Sequence, residues 1–391
     1  MSRTRRDFLT LLTSSALCCV IPETLRARSR SYPSIPTPIR PPAAAVRIGG
    51  AFIQFWEDLL NESAWRGVLD SMVRAEMHYT IILQRLEVKD SDGNEHVYYA
   101  KNSADFDPTK FILDYADTRG DMQVYLGLRE DGQFQSTNVW DSSDEFARSL
   151  NRPGGEVDKN KRLATEVWRR YGKDGRGRAR RSFAGWYLPN EMWNQNYTAV
   201  QAEELVKFHR TVSSHAKALG DNNKPVAVCP YFNPKLSELP RLIGPAEFAA
   251  KFGEFLQPQG GAKTGIDIVM LQDGAGERKL TIDDYEEKAE PYYKSFGTMC
   301  RQKCVQFWAN LESWEYKPSF FPTSIDRLSK QIEIVSPMAD RTVTFDFFHY
   351  MNPLGHFHPG EWHEAEKRLY YCYLREFVLG AVKPDDPACT T

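Results

Sequence analysis

Val305-Gln306-Phe307-Trp308-Ala309-Asn310-Leu311-Glu312-Ser313-Trp314 is the stretch that decides the fold. Side chains of a strand point alternately to its two faces. Val305, Phe307, Ala309 and Leu311 therefore share one face, wholly apolar and suited to pack against helices. Gln306, Trp308, Asn310 and Glu312 share the other, which points into a barrel and sets Glu312 at its inner rim.

Outward from this strand the same kind of run recurs. Strand-like stretches begin near Arg47, Tyr79, Met122, Phe183, Pro225 and Ile266 before it, and near Thr342 after it. Segments of helical period lie between them, among them Trp65–Met77, Pro108–Thr118, Ala199–Leu219, Ile282–Met299 and Ser324–Ile334, with Glu361–Phe377 closing the series. Strands that alternate with helices eight times predict an α/β fold, a single (β/α)8 TIM barrel over residues 46–385. A doubly wound open sheet is the rival, since it needs neither closure nor an even strand count. Surplus length falls in loops that follow strand ends: Glu87–Phe106, Glu130–Lys161 and Met351–Gly360. These belong to the face on which barrels build their sites.

The chain opens Met1-Ser2-Arg3-Thr4-Arg5-Arg6-Asp7-Phe8-Leu9, followed by an apolar run to Ile21. Paired arginines before a short apolar region resemble a twin-arginine export signal, here residues 1–27. That resemblance implies the export machinery as a partner and a periplasmic or extracellular destination. A lipoprotein reading through Cys18 or Cys19 is weaker, because Leu17 or Cys18 stands where a small residue is wanted. Residues 28–45, rich in Pro, Ser and Arg, read as a linker. The predicted signal carries four arginines against Asp7 and Glu23, so the remainder is two charges more negative than the whole chain's −2. Neither value marks a nucleic-acid footprint, and the basic run Lys173–Arg181 precedes strand four, at the opposite end from the strand tips. No apolar run is long enough to span a membrane once the signal is gone. Cys229, Cys300, Cys304, Cys372 and Cys389 remain, an odd set that reads as buried thiols rather than a disulfide framework.

Two strand ends carry the chemistry. Strand four ends Gly185-Trp186-Tyr187-Leu188-Pro189-Asn190-Glu191, and strand seven ends in Glu312. This predicts two carboxylates across one barrel mouth, the pair that glycoside hydrolysis requires. One protonates the departing oxygen, and the other attacks the anomeric carbon or activates water. Asn190-Glu191 on strand four with Glu312 on strand seven resembles the large clan of retaining glycoside hydrolases built on (β/α)8 barrels. The resemblance implies Glu191 as acid/base, Glu312 as nucleophile and Asn190 on the sugar 2-hydroxyl. The stretches Gly50-Ala51-Phe52-Ile53-Gln54, Gly185 to Glu191 and Phe347-Phe348-His349-Tyr350 also resemble a bacterial family of barrel domains of unassigned function, grouped with those hydrolases.

Other strand ends supply candidate substrate contacts: Gln54, Trp56, Arg85, Tyr231, Asp273 and His349. Arg85 is a candidate to hold Glu312 ionised. Trp186, Trp308 and Trp314 are candidate faces for a sugar's C–H surface, drawn from a chain with 9 Trp, 18 Tyr and 22 Phe. The reading needs no metal or organic cofactor. A metal-dependent hydrolase is a rival, because His349, His356, His358 and His363 cluster after strand eight. A carbohydrate-binding barrel without catalysis is the other.

Overall fold

A computed structural model describes residues 47–55, 61–89, 94–99, 106–131, 144–220, 223–237, 241–258, 261–277, 280–316, 320–355 and 360–380. The predicted signal and linker lie outside the described residues. By backbone proximity the chain divides into residues 1–36 and 37–391, and everything described belongs to the second.

Eight parallel strands close a barrel: β1 (Gly50–Ile53), β2 (Thr80–Leu83), β3 (Gln123–Gly127), β4 (Phe183–Leu188), β5 (Val226–Val228), β6 (Ile268–Gln272), β7 (Gln306–Glu312) and β8 (Arg341–Phe345). Each neighbours the next in chain order, and β8 closes on β1 through Gly50↔Val343. Closure removes the open-sheet rival.

Helices fill the crossovers: α1 (Glu62–Arg74), α2 (Pro108–Arg119), α3 (Asp144–Leu150), α4 (Glu156–Tyr171), α5 (Ala199–Ala218), α6 (Pro245–Leu256), α7 (Ile282–Lys288), α8 (Glu290–Lys303), α9 (Ile325–Val335), α10 (Phe347–Tyr350) and α11 (Glu361–Tyr373). Local chemistry sets their ends. Asn61 and Asp107 accept from backbone N–H groups of the first turns of α1 and α2, and Thr198 and Gln201 form a reciprocal capping box on α5. Caps of this kind contribute about 1 kcal/mol each. The expected helix Ile282–Met299 divides into α7 and α8 at Ala289, just before Pro291, which cannot continue a hydrogen-bonded helix.

The Glu130–Lys161 segment, expected as a loop, instead contains α3 and the start of α4. Residues 129–131 also form a strand, which joins 87–89 and 95–97 in a three-stranded sheet beside the barrel. Arg129 pins this sheet down. It is 1% exposed and its guanidinium meets Glu95, Glu156 and, at 3.8 Å, Glu87. Polar residues that read as loop thus build a small buried ionic core, which apolar periodicity does not reveal.

Two apolar layers follow from strand alternation. Ala51, Ile53, Val124, Leu126, Phe307, Ala309 and Leu311 face the helices. Phe52, Ile82, Tyr125, Tyr187, Met270, Trp308 and Val343 fill the barrel. Trp308 meets Tyr125 edge-on at 5.6 Å, and the Arg341 guanidinium lies 4.7 Å above the indole. Trp308 pairs in register with Arg341, the first residue of β8, whereas Glu312 pairs with Phe345, the last. At about 3.3 Å per residue Trp308 and Glu312 stand about 13 Å apart along β7.

The cysteines depart from the uniform reading as buried thiols. Cys229 and Cys300 are buried and free, but Cys304 is exposed, and Cys372 is disulfide-bonded. Cys304 caps α8 in the left-handed region, which turns its side chain out of the helix's buried face.

Candidate active site

Beyond Leu188 the chain leaves β4 through Pro189, and Asn190 and Glu191 follow at the barrel mouth. Glu191 is partly open to water, while Asn190 is 1% exposed. The carboxyl of Glu191 titrates well above its ordinary range. Burial is the main cause, and the neighbouring charges of Glu130, Glu277 and Glu312 add to it, against a smaller opposing pull from Arg85. Neither side-chain atom of Asn190 has a hydrogen-bond partner among the described residues. A buried amide left in that state costs about 1–3 kcal/mol, so the position favours a polar ligand.

Glu312 ends β7 with no exposed surface. Its Oε1 accepts from Gln272 Nε2 at 2.9 Å, and its Oε2 accepts from the N–H of Gly276 at 2.7 Å and of Glu277 at 3.2 Å. Its own N–H donates to Asp273 Oδ1 at 3.2 Å. Burial raises its pKa, and the charges of Asp273 and Glu277 raise it further, while the donated hydrogen bonds oppose both. The strand thus brings Glu312 to the mouth, but the turn after β6 covers its carboxylate.

Asp273 lies behind this turn. Its Oδ2 accepts from Tyr285 Oη at 2.9 Å and from Gln331 Nε2 at 2.5 Å. Arg327 donates to the carbonyls of Glu312 and Trp314. Asp273 therefore organises the end of β7 and is fully buried itself. The substrate contact expected of it is not available.

Arg85 does reach the mouth, but its partner is not Glu312. Its Nη1 donates to Glu130 Oε2 at 2.5 Å. Glu130 is fully buried, and burial raises its pKa despite that pairing. The partner differs because β3 neighbours β2 in the barrel, whereas β7 lies across the mouth.

The tryptophans divide. Trp186 points outward, packing edge-on against Phe183 at 4.8 Å in the layer beneath the helices, so it offers no sugar face. Trp308 plugs the lower barrel and is likewise remote from the mouth. Trp314 is at the mouth, 6% exposed, stacked with Tyr350 at 6.1 Å and met edge-on by Phe320 at 4.9 Å. Tyr231 is 8% exposed and stacks on Trp193 at 5.7 Å. These rings chiefly cover one another. Gln54 is partly exposed just beyond β1, and Trp56 lies outside the described residues.

His349 is fully buried, with Nδ1 2.8 Å from Asp346 Oδ2 and its backbone N–H donating to Asp346 Oδ1 at 2.9 Å. His363 faces Glu366 at 3.4 Å. His356 and His358 lie outside the described residues. Among the described residues no group of three or more His, Cys, Asp or Glu side chains is arranged to hold a metal ion.

Sequence reading missed Glu130 and Glu277, both close enough to Glu191 to alter its titration. Glu130 stood at the start of an apparent loop. Glu277 stands in Gly274-Ala275-Gly276-Glu277, where two closely spaced glycines after a strand were the available signal of a tight turn at the mouth.

In fold the chain is similar to a candidate α-L-fucosidase from Bacteroides thetaiotaomicron, at 21% identity and a TM-score of 0.63, covering 85% of this chain and 95% of that one. It is also similar to an endo-1,4-β-D-mannanase from Thermotoga petrophila, at 12% identity and a TM-score of 0.55, covering 85% of this chain and all of that one. At these identities the likeness shows the barrel fold alone. No curated protein matches the sequence. Residues 48–356 match the family described as Domain of unknown function (DUF4434), and the chain belongs to that family.

Proposed function

We propose that the protein hydrolyses O-glycosidic bonds of an oligo- or polysaccharide at the barrel mouth, with Glu191 as the general acid. The observation that carries this reading is a carboxyl at the end of β4, partly open to water, that burial and three neighbouring carboxylates drive toward its protonated form. A general acid must hold its proton near neutral pH until the leaving oxygen takes it. Asn190 stands beside it with an unsatisfied amide suited to a sugar hydroxyl. The fold shared with a mannanase and a candidate fucosidase agrees with a carbohydrate substrate.

The retaining form of the reaction gives Glu312 the nucleophile's part. In the covered arrangement it reaches a substrate only once the Gly276–Glu277 turn lifts. That enclosure favours a second reading, a carbohydrate-binding barrel without turnover. Incubation with β-mannan and a panel of 4-nitrophenyl glycosides, beside the Glu191→Gln protein, separates the two. Cleavage of either substrate by the wild type, with that of β-mannan removed by the substitution, supports hydrolysis. Sugar binding without turnover by the wild type supports the second reading.

The destination is proposed to be outside the cytoplasm. The twin-arginine-like opening supports it, and so does the disulfide at Cys372, since such bonds persist in oxidising compartments.

A further inference from the structure

A carboxylate that attacks an anomeric carbon, or takes a proton from water beside it, must turn a lone pair toward the substrate. Glu312 turns both oxygens into the β6 turn, where Gln272, Gly276 and Glu277 donate to them. The same bonds fix the turn. Gly276 lies so close to the segment leaving β7 that a Cβ there would collide with the carbonyl oxygen of Trp314, and Gly274 takes a φ of +55°. This seating presents the next side chain, Glu277, exposed at the mouth.

Glu191 borders the same space. The backbone of Tyr231 bridges to Trp193 on one side and to Gln272 on the other, so the segments leaving β4, β5 and β6 run side by side. The charge of Glu277 reaches Glu191 across them. Asn190, buried and with neither end of its amide satisfied, marks the neighbouring wall as one that takes a polar ligand.

Resting on the reading that this mouth hydrolyses glycosides with Glu191 as acid, we propose that Glu277 is the second catalytic residue, the general base of an inverting, single-displacement hydrolysis. Glu312 is then a positioning residue that holds the turn carrying it. The oxygen of a water bonds to the anomeric carbon as the Glu277 carboxylate takes one of its protons. The glycosidic C–O bond breaks with its electron pair going to the leaving oxygen, which takes the Glu191 proton. The products are a hemiacetal of opposite anomeric configuration and a free alcohol. Glu277 is left protonated and Glu191 ionised, and exchange with bulk water resets both.

The test follows cleavage of the same glycoside panel by proton NMR, reading the first-formed anomer for wild type, Glu277→Gln and Glu191→Gln. The expected result is an inverted product, with kcat of Glu277→Gln lower by about 10²–10⁴-fold and its melting temperature unchanged. A retained product, a 2-fluoro sugar trapped on Glu312, or a Glu277→Gln protein working at the wild-type rate each overturns the assignment. Where Glu191→Gln has still lost its cleavage of β-mannan in those cases, the hydrolase reading stands without Glu277. No cleavage of any substrate by the wild type overturns both.

Discussion

The backbone N–H of Gly276 donates to Oε2 of Glu312 over 2.7 Å, so the last residue of β7 is closed off by the turn that follows β6. One strand end thereby shapes the loop of its neighbour, and most of what the mouth can do depends on that contact.

Substitution at Gly276 tests the contact directly. In Gly276→Ala the new Cβ would collide with the Trp314 carbonyl, so the turn must lift from β7. Glu312 then loses two hydrogen-bond donors while it remains in the core. The expected outcome is a destabilisation of about 2–4 kcal/mol in urea unfolding, together with loss of activity.

The demand on Glu191 depends on the leaving group. A 4-nitrophenolate departs without protonation, but a sugar alcohol does not. Glu191→Gln is expected to lose about 10²–10⁴-fold in kcat on an oligosaccharide and far less on the matching 4-nitrophenyl glycoside. Equal losses on both would remove Glu191 from the acid's role.

Stability should fall as pH rises above the ordinary glutamate range. Glu366 is 1% exposed, and burial, aided by the charge of Asp346, pushes its pKa up to about 9. Between its unfolded pKa and that value the folded state binds more protons than the unfolded one, so unfolding becomes easier with increasing pH. Glu366→Gln stays neutral throughout. Its melting temperature should exceed the wild type's at pH 8 by at least about 2 °C, with the gap closing toward pH 5. A gap independent of pH would contradict the titration.

Arg129 is the clamp of the sheet beside the barrel. Arg129→Met leaves Glu87 and Glu156 buried without their shared cation. The expected cost is about 3–5 kcal/mol, measured by urea unfolding, because breaking a buried ion pair strands its partners. A loss below 1 kcal/mol would mean that Lys159 and Arg162, which also contact these two glutamates, suffice.

Export is tested at the first residues. Replacing Arg5 and Arg6 together by Lys should hold the full-length chain in the cytoplasm, as judged by cell fractionation and precursor size. Unchanged export would exclude the twin-arginine route.

The barrel was legible because it is written in period. Phe307, Ala309 and Leu311 against Trp308, Asn310 and Glu312 state which way β7 faces, and the structure keeps that alternation. The rim was less legible because partners there are chosen across strands. Nothing in the order of residues says that Arg85 meets Glu130, or that a backbone turn at Gly276 covers Glu312. Trp186 shows the limit from the other side. Position near a strand end drew it toward the site, but two-residue alternation from inward-facing Tyr187 places it under the helices.

The Trp308 plug has a consequence for traffic. With the indole wedged among Tyr125 and its inward-facing neighbours and Arg341 laid over it, the lower barrel is stoppered. Whatever enters at the mouth leaves by the mouth, and a long chain cannot be threaded through the axis. Under the proposed function a polymer would either lie across the opening like a rope over a well or dip one end into it, and in neither case would it pass beyond Trp308.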